Sequence, residues 1–329
     1  MDAQTSLTAS RLARFAAALD ALAPAGRIGV AVSGGPDSMA LLLLAQAIRP
    51  GAVMAATVDH GLRPEAAAEA AMVASVCQTL GVPHATLRVT VADDVAGPQA
   101  AARKARYAAL GAWAARERIA FLATGHHADD QAETLLMRLA RGAGLSGLAG
   151  IRRSRPLPEA PGIHLIRPLL DWHKAELEAL VAAASIIPAR DPSNEDERYD
   201  RTRVRTLLRR GWPQSRRIAA TARHLAEAEE ALAWSARRLA EKKITFTGDA
   251  AHIDVAGVPR ELRRRLLLTA FAGLKPGNDP RGDSVERLMD TLDRGRAATL
   301  GGLKCDPGPP WRITSAAPRR ARAKPEHIE

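Results

Sequence analysis

Apolar residues along this chain follow two alternating rhythms. Between residues 7 and 22, Leu12, Phe15, Ala16 and Leu19 recur at helical spacing, and Pro24 with Gly26 ends the run. Residues 28–32 are then apolar or glycine without a break, as in a strand buried on both faces, and after a glycine turn residues 39–48 read as an apolar helix. The alternation repeats with a strand over 53–58, a helix over 65–80, a strand over 84–91 and a helix over 99–116. A fourth strand over 119–123 runs into Thr124-Gly125-His126-His127 and a helix over 129–139. Strands and helices in strict turn predict an α/β fold, a doubly wound Rossmann-like parallel sheet with ligands at the carboxyl ends of its strands. The loops after the first, second and fourth strands thereby become the candidate site.

Beyond Arg141 the rhythm breaks. Glycines at 142, 144, 147 and 150 and a basic, proline-rich stretch over 152–161 predict a loop. A last strand over 165–169, a helix over 174–184, a turn-rich loop over 191–196 and a basic helix over 201–210 follow. A long helix over 214–243, capped by Gly248, reads as a connector. The remainder carries a short strand over 252–255, helices over 260–271 and 284–292, and an extended pair over 298–313. These patterns divide the chain into a nucleotide-binding domain over 1–212, a connector over 213–243, a smaller, mainly helical C-terminal domain over 244–318, and a tail over 319–329. The tail has no apolar periodicity and is expected to be disordered.

Composition narrows the partners. With 329 residues and 47% hydrophobic content the chain is long enough for two domains. Its net charge of +11 favours an acidic partner, nucleic acid or an anionic membrane surface. The longest apolar run, residues 39–45, falls far short of the ~20 residues that span a bilayer, which speaks against membrane insertion. Only Cys77 and Cys305 occur, so there is no disulfide framework, zinc ribbon or CxxC pair, and the expected compartment is the reducing cytoplasm.

Residues Ser33, Gly34, Gly35, Pro36, Asp37 and Ser38 lie between a buried strand and a helix start, where unpaired N–H groups and the helix dipole bind anions. The glycines let phosphates approach the backbone, Pro36 suits the first helical turn, and the serines add hydroxyls. The lysine of the GxxxxGK[ST] loop is missing. Asp37 would repel a phosphate unless Mg²⁺ bridges the two; otherwise it only complements the helix dipole. Asp130 and Glu133 share a face near the start of the helix after the fourth strand, where they could hold an ammonium group or a second Mg²⁺, or serve only as caps. Zinc is the rival for the His126-His127 segment, but no fourth ligand is evident. Arg103 and Arg106, one turn apart, could grip phosphate or carboxylate or simply be solvated. Asp59-His60-Gly61 suits either a nucleotide contact or an ordinary turn.

Taken together, SGGPDS at 33–38, VDHGLR at 58–63, ARKARY at 102–107, GHHADDQAETLLMRLARGAGLSGL at 125–148 and DPSN at 191–194 resemble the tRNA(Ile)-lysidine synthetase family. The match is good over 27–210 and loose beyond. SGGxDS alone would indicate only the wider ATP pyrophosphatase superfamily, with its adenine nucleotide alpha hydrolase-like fold. The resemblance implies that ATP, with Mg²⁺, adenylates carbon 2 of the wobble cytosine of a CAU-anticodon tRNA(Ile). Free L-lysine then displaces AMP to give lysidine. It puts ATP on residues 33–38, catalysis or lysine recognition on Asp37, Arg106, Asp130 and Glu133, Mg²⁺ on Asp37, and tRNA or phosphate on Arg201 and Arg205. It makes residues 244–318 an accessory tRNA-binding domain, shortened relative to longer members, in which Arg260 to Arg265 and the basic connector would grip phosphates. Thr202 departs from the asparagine that commonly follows the arginine. A homodimer stays open. A tRNA thiolase of the same superfamily is the near alternative, although it would need a reactive cysteine; a non-catalytic ATP-binding regulator is the distant one.

Overall fold

The computed structural model describes residues 8–61, 65–90, 97–189, 200–209, 214–277, 280 and 282–316. They form two compact units, Met1–Ala226 and Glu227–Glu329. In the first, α1 (Ala9–Leu22), β1 (Ile28–Ala31), α2 (Pro36–Ile48), β2 (Val53–Asp59), α3 (Glu65–Thr79), β3 (His84–Arg88), α4 (Pro98–Arg116), β4 (Phe121–Ala123) and α5 (Ala128–Ala140) follow one another in the predicted order. After them come α6 (Leu145–Leu148), β5 (Ser154–Pro156), β6 (His164–Ile166), α7 (Lys174–Ala183) and α8 (Asp200–Arg209). The sheet order is β3-β2-β1-β4-β6-β5, with only the β5 and β6 pair antiparallel.

This order fixes where the site lies. The chain leaves β1 toward β2 on one side and returns to β4 on the other, so the strand order reverses between β1 and β4, the place at whose carboxyl ends open α/β sheets bind ligands. All four residues of β1 are buried, which explains its unbroken apolar run. Helix α2 is buried from Ser38 through Ala45 because α1 and α7 cover the side that the sheet does not. A helix enclosed on every side reads as apolar all round.

Two expectations for this unit need correcting. The stretch expected to be a loop carries α6 and β5, the latter an edge strand of Ser154, Arg155 and Pro156. A half-exposed edge strand has no apolar run to announce it, and its pairing with β6 alone defines it. The strand expected over 165–169 is β6, ending at Ile166.

Helix α9 (Ser215–Lys243) contains the division between the units. Ile218 and Ala222 pack with Ala132 and Leu135 of the first unit, whereas Leu239 and Ala240 pack against the core of the second. Gly248 does not cap α9. The chain passes directly into β7 (Ile244–Thr247), and Gly248, at φ +60°, turns the hairpin into β8 (Ala250–Ile253).

The second unit continues with α10 (Arg260–Leu274), α11 (Gly282–Asp293), β9 (Ala298–Leu300), β10 (Leu303–Asp306) and β11 (Trp311–Ser315). It is helix-rich as expected, yet it is organised by an antiparallel sheet of order β7-β8-β11-β10-β9. Leu266, Phe271, Leu288 and Met289 pack against Ile253, Cys305, Trp311 and Ile313 in its core. The arginines expected to grip tRNA phosphates are already engaged. Arg260 binds Glu286, Asp290 and Asp293, Arg263 binds Asp293, Arg264 binds Glu261, and Arg265 binds Glu229 and Glu261, at 2.5–2.9 Å. Carboxylates of α9, α10 and α11 engage these guanidinium groups, so they brace the unit. Arg63, the DPSN segment, the Arg201 side chain and the 319–329 tail lie outside the described residues.

Candidate active site

The turn from β1 into α2 is a closed loop. The Ser38 hydroxyl donates to the Gly35 carbonyl at 3.0 Å and accepts from the Ser33 N–H at 3.1 Å, with the Ser33 hydroxyl 3.2 Å away. Ser38 is therefore an internal staple, and exposed Ser33 carries the outward hydroxyl. Gly34 sits at φ +85°, a conformation that side chains rarely adopt, and its carbonyl accepts from the Ala189 N–H at 2.9 Å. Gly35 at the N-cap has no side-chain cap, which leaves the first N–H groups of α2 to an external acceptor.

The turn from β4 into α5 lies against this loop. A Cβ on Gly125 would stand 2.9 Å from the Asp37 carbonyl carbon and oxygen and 3.0 Å from the Ser38 nitrogen, so only glycine allows the two turns to touch. The adjacent histidines diverge from there. His126 bonds Thr124 through Nδ1 at 2.9 Å, while His127 is buried at the N-cap of α5.

His127 is the hub that joins two of the expected site residues. Its Nδ1 accepts from the Asp129 N–H at 3.2 Å, which places the imidazole proton on Nε2, and Nε2 lies 3.5 Å from both Asp37 Oδ2 and Asp130 Oδ2. Burial works against the charged ring, but Asp37, Asp130 and Asp129 outweigh it and raise the His127 pKa. Asp130 Oδ2 also accepts from the His127 N–H at 3.0 Å, completing a capping box, so it has a structural duty beside its closeness to the His127 ring. Asp37 Oδ1 is buried and makes no hydrogen bond. Such an oxygen is the kind of hard donor that a divalent cation takes. Among the described residues no group of three or more His, Cys, Asp or Glu side chains is arranged to hold a metal ion by itself.

Glu133, one turn further along α5, is buried and faces a different partner. Arg205 of α8 donates from Nε to Glu133 Oε1 at 2.8 Å. Arg205, expected at tRNA or phosphate, thus reaches the interior edge of the site and neutralises Glu133. Arg106 of α4 is half-buried and makes no ion pair with Asp37, Asp130 or Glu133. Burial, offset by Tyr107 and reinforced by Arg103, lowers its pKa. It lies close enough to His60, at the end of β2, for its charge to add to burial in lowering that histidine's pKa, against the opposing pull of Asp59. His60 Nδ1 is buried without a partner, and Asp59 closes an Asx turn onto the Gly61 N–H at 2.9 Å.

The sequence pattern passes over two features. His127 gives no signal beyond its place next to His126. Arg103 and Arg106, expected to act as one pair, have separate neighbourhoods, Arg106 beside His60 and Arg103 over the Tyr107 ring at 4.9 Å. Both cysteines are buried; burial pushes the Cys77 thiol up to about 11 and, with Asp306, the Cys305 thiol up to about 12. Neither offers a thiolate at neutral pH. No helix among the described residues is long and apolar enough to cross a membrane.

The profile of the PP-loop domain family matches residues 5–210. A tRNA(Ile)-lysidine synthase of Novosphingobium aromaticivorans is 47% identical over 95% of this chain and 96% of its own length. One from Zymomonas mobilis is 42% identical over 90% of each. Among solved structures, the U34-tRNA thiolase NcsA from Methanococcus maripaludis superimposes with a TM-score of 0.55 at 20% identity, over 66% of this chain and 77% of that one, a likeness of fold. With its PP-loop domain and full-length likeness to these synthases, the chain belongs to the tRNA(Ile)-lysidine synthase family.

Proposed function

We infer that this protein is a carbon–nitrogen ligase that joins lysine to carbon 2 of the wobble cytidine of a CAU-anticodon tRNA(Ile). ATP is consumed to AMP and pyrophosphate through an adenylated cytidine. Beyond family membership, the observation that carries the reading is the juxtaposition of an uncapped phosphate cradle with Asp37, Asp129 and Asp130 around a single imidazole. An anion site and an anionic cluster side by side need a cation between them.

In this reading Ser33 to Ser38 hold the ATP phosphates, with the first N–H groups of α2 pointing at them. Asp37 Oδ1, with Asp130 nearby, would hold Mg²⁺, which when bound offsets the charge that collects on the departing pyrophosphate. Arg106 adds a fixed cation where negative charge develops. Asp130 and Glu133 line the place for the lysine amine, and either carboxylate can take the proton that the ammonium must lose before it attacks. Arg205 orients Glu133, and with Arg201 on the same helix marks the proposed approach of the RNA. The second unit adds RNA affinity through cations other than the engaged Arg260 to Arg265. The cytoplasm, where tRNA, ATP and free lysine meet, goes with this reading. A thiolase reaction finds no support in two buried, protonated cysteines.

Asp37→Ala tests the cradle. RNA-dependent pyrophosphate release should fall by at least ~100-fold, while the thermal melt stays near that of the unaltered protein. Undiminished release would remove Asp37 from the chemistry.

A further inference from the structure

A second concave site lies in the first unit, apart from the cradle. It is a cleft of about 470 Å³ whose lining includes Arg103, His126, Arg138, Arg152, Arg155 and Arg167, and it shares no residue with the 33–38 loop. Its walls come from α4, α5, the α6 turn and the β5–β6 edge. Five guanidinium groups converge there, and among the described residues none of the five forms an ion pair with a carboxylate.

The cleft is built, not incidental. Two of its arginines, Arg103 and Arg155, stand over the ring of the buried Tyr107 at 4.9 and 5.4 Å. Arg138 is fixed by bonds from Nη1 to the Gly147 and Gly150 carbonyls at 2.6 and 2.9 Å. Arg167 is 3% exposed, donates through Nη1 to the Arg152 carbonyl, and keeps its buried Nε without any partner. Burial, together with the charges of Arg155 and Arg103, drives Arg167 down to about 10 despite Tyr107. A buried guanidinium such as Arg167 surrounded by like charges opposes folding unless an anion completes it. Planar guanidinium forks with no competing carboxylate are the chemistry that takes a phosphate.

We propose that this cleft is a phosphate site that seats a backbone phosphodiester of the RNA substrate, an inference that rests on the RNA-modifying reading above. The ATP phosphates have their own cradle on the other turn. The two sites meet at neighbouring residues, since His127 faces the carboxylates and His126 lines the cleft. A phosphate held by the arginines therefore anchors the strand whose base enters the candidate active site.

The test is the double variant Arg103→Gln/Arg155→Gln, made in the full chain and checked for folding by its thermal melt. Binding of a synthetic CAU anticodon stem–loop is followed by anisotropy across a KCl series, with the KM for ATP in pyrophosphate release measured alongside. The expected result is RNA binding weaker by at least about tenfold. The slope of log K against log salt should shrink by about 0.7 for each lost phosphate contact, with the ATP KM within about twofold. In a scan of single methylphosphonate linkages, one position should weaken binding to the unaltered protein but not to the variant. Unchanged RNA affinity and slope would overturn the proposal, as would a raised ATP KM with intact RNA binding, which would give the cleft to the nucleotide instead. Lysine incorporation by the unaltered protein is read in parallel. If it is absent the functional reading falls; if it is present and the variant binds RNA normally, only the cleft assignment falls.

Discussion

Gly125 and Asp37 show how single residues set this site. A methyl group on Gly125 would press on the carbonyl of Asp37 and the nitrogen of Ser38, and backbone atoms cannot step aside as a flexible side chain would. Gly125→Ala should therefore cost about 1–3 kcal/mol of stability. It should also raise the KM for ATP more than that for lysine, because the displaced atoms belong to the phosphate loop. Steady-state kinetics with a denaturant melt checks both, and an unchanged ATP KM would mean that the two turns need not touch. The placement of Asp37, Asp130 and Glu133 in the first turns of helices that follow buried strands is legible in the sequence. Their partners were not. Arg205 reaches Glu133 across 72 positions, and His127 joins Asp37 to Asp130 only because two turns meet in space. No local pattern encodes such closures.

Elements were legible where their burial was uniform. Strand β1, helix α2 and the strand–helix alternation through α5 appear in the sequence because enclosure demands unbroken apolar runs and amphipathic helices demand their spacing. Edge and surface elements escaped: β5 has no apolar run, and β7 follows α9 without a breaking residue. Capping chemistry at α7 supplies a test at this scale. Burial pushes the Glu176 carboxyl up, but the His173 N–H at 2.8 Å and the Arg14 guanidinium at 2.8 Å outweigh it, so its pKa lies below the ordinary 4.5. A carboxyl with a lower pKa folded than unfolded stabilises fully above the unfolded value and loses that contribution as pH falls through the folded one. Glu176→Gln should lower the melting temperature at neutral pH, and the gap to the unaltered protein should close as pH drops below about 4.5. Melting curves that stay equally far apart across that range would contradict the assigned cause.

At the scale of the whole molecule, charge and architecture point to one substrate class. The excess of +11 is not spread evenly in its effect. Arg260, Arg263, Arg264 and Arg265 are matched to carboxylates within the second unit, whereas the five guanidinium groups of the first unit's cleft have none among the described residues. Net charge alone forecast an anionic partner but could not say which arginines face it, since matching depends on helices that meet only after folding. The division inside α9 was likewise hidden, because a continuous helical rhythm carries no mark of which core each turn joins. The measurement that bears most directly on the whole account is incubation of the purified protein with ATP, Mg²⁺, radiolabelled lysine and an unmodified CAU-anticodon tRNA(Ile) transcript. Label should enter the RNA, with AMP and pyrophosphate released in equal amounts, and should vanish when the wobble cytidine is replaced by uridine. ATP cleavage without lysine in the RNA, or labelling that survives the replacement, would contradict it.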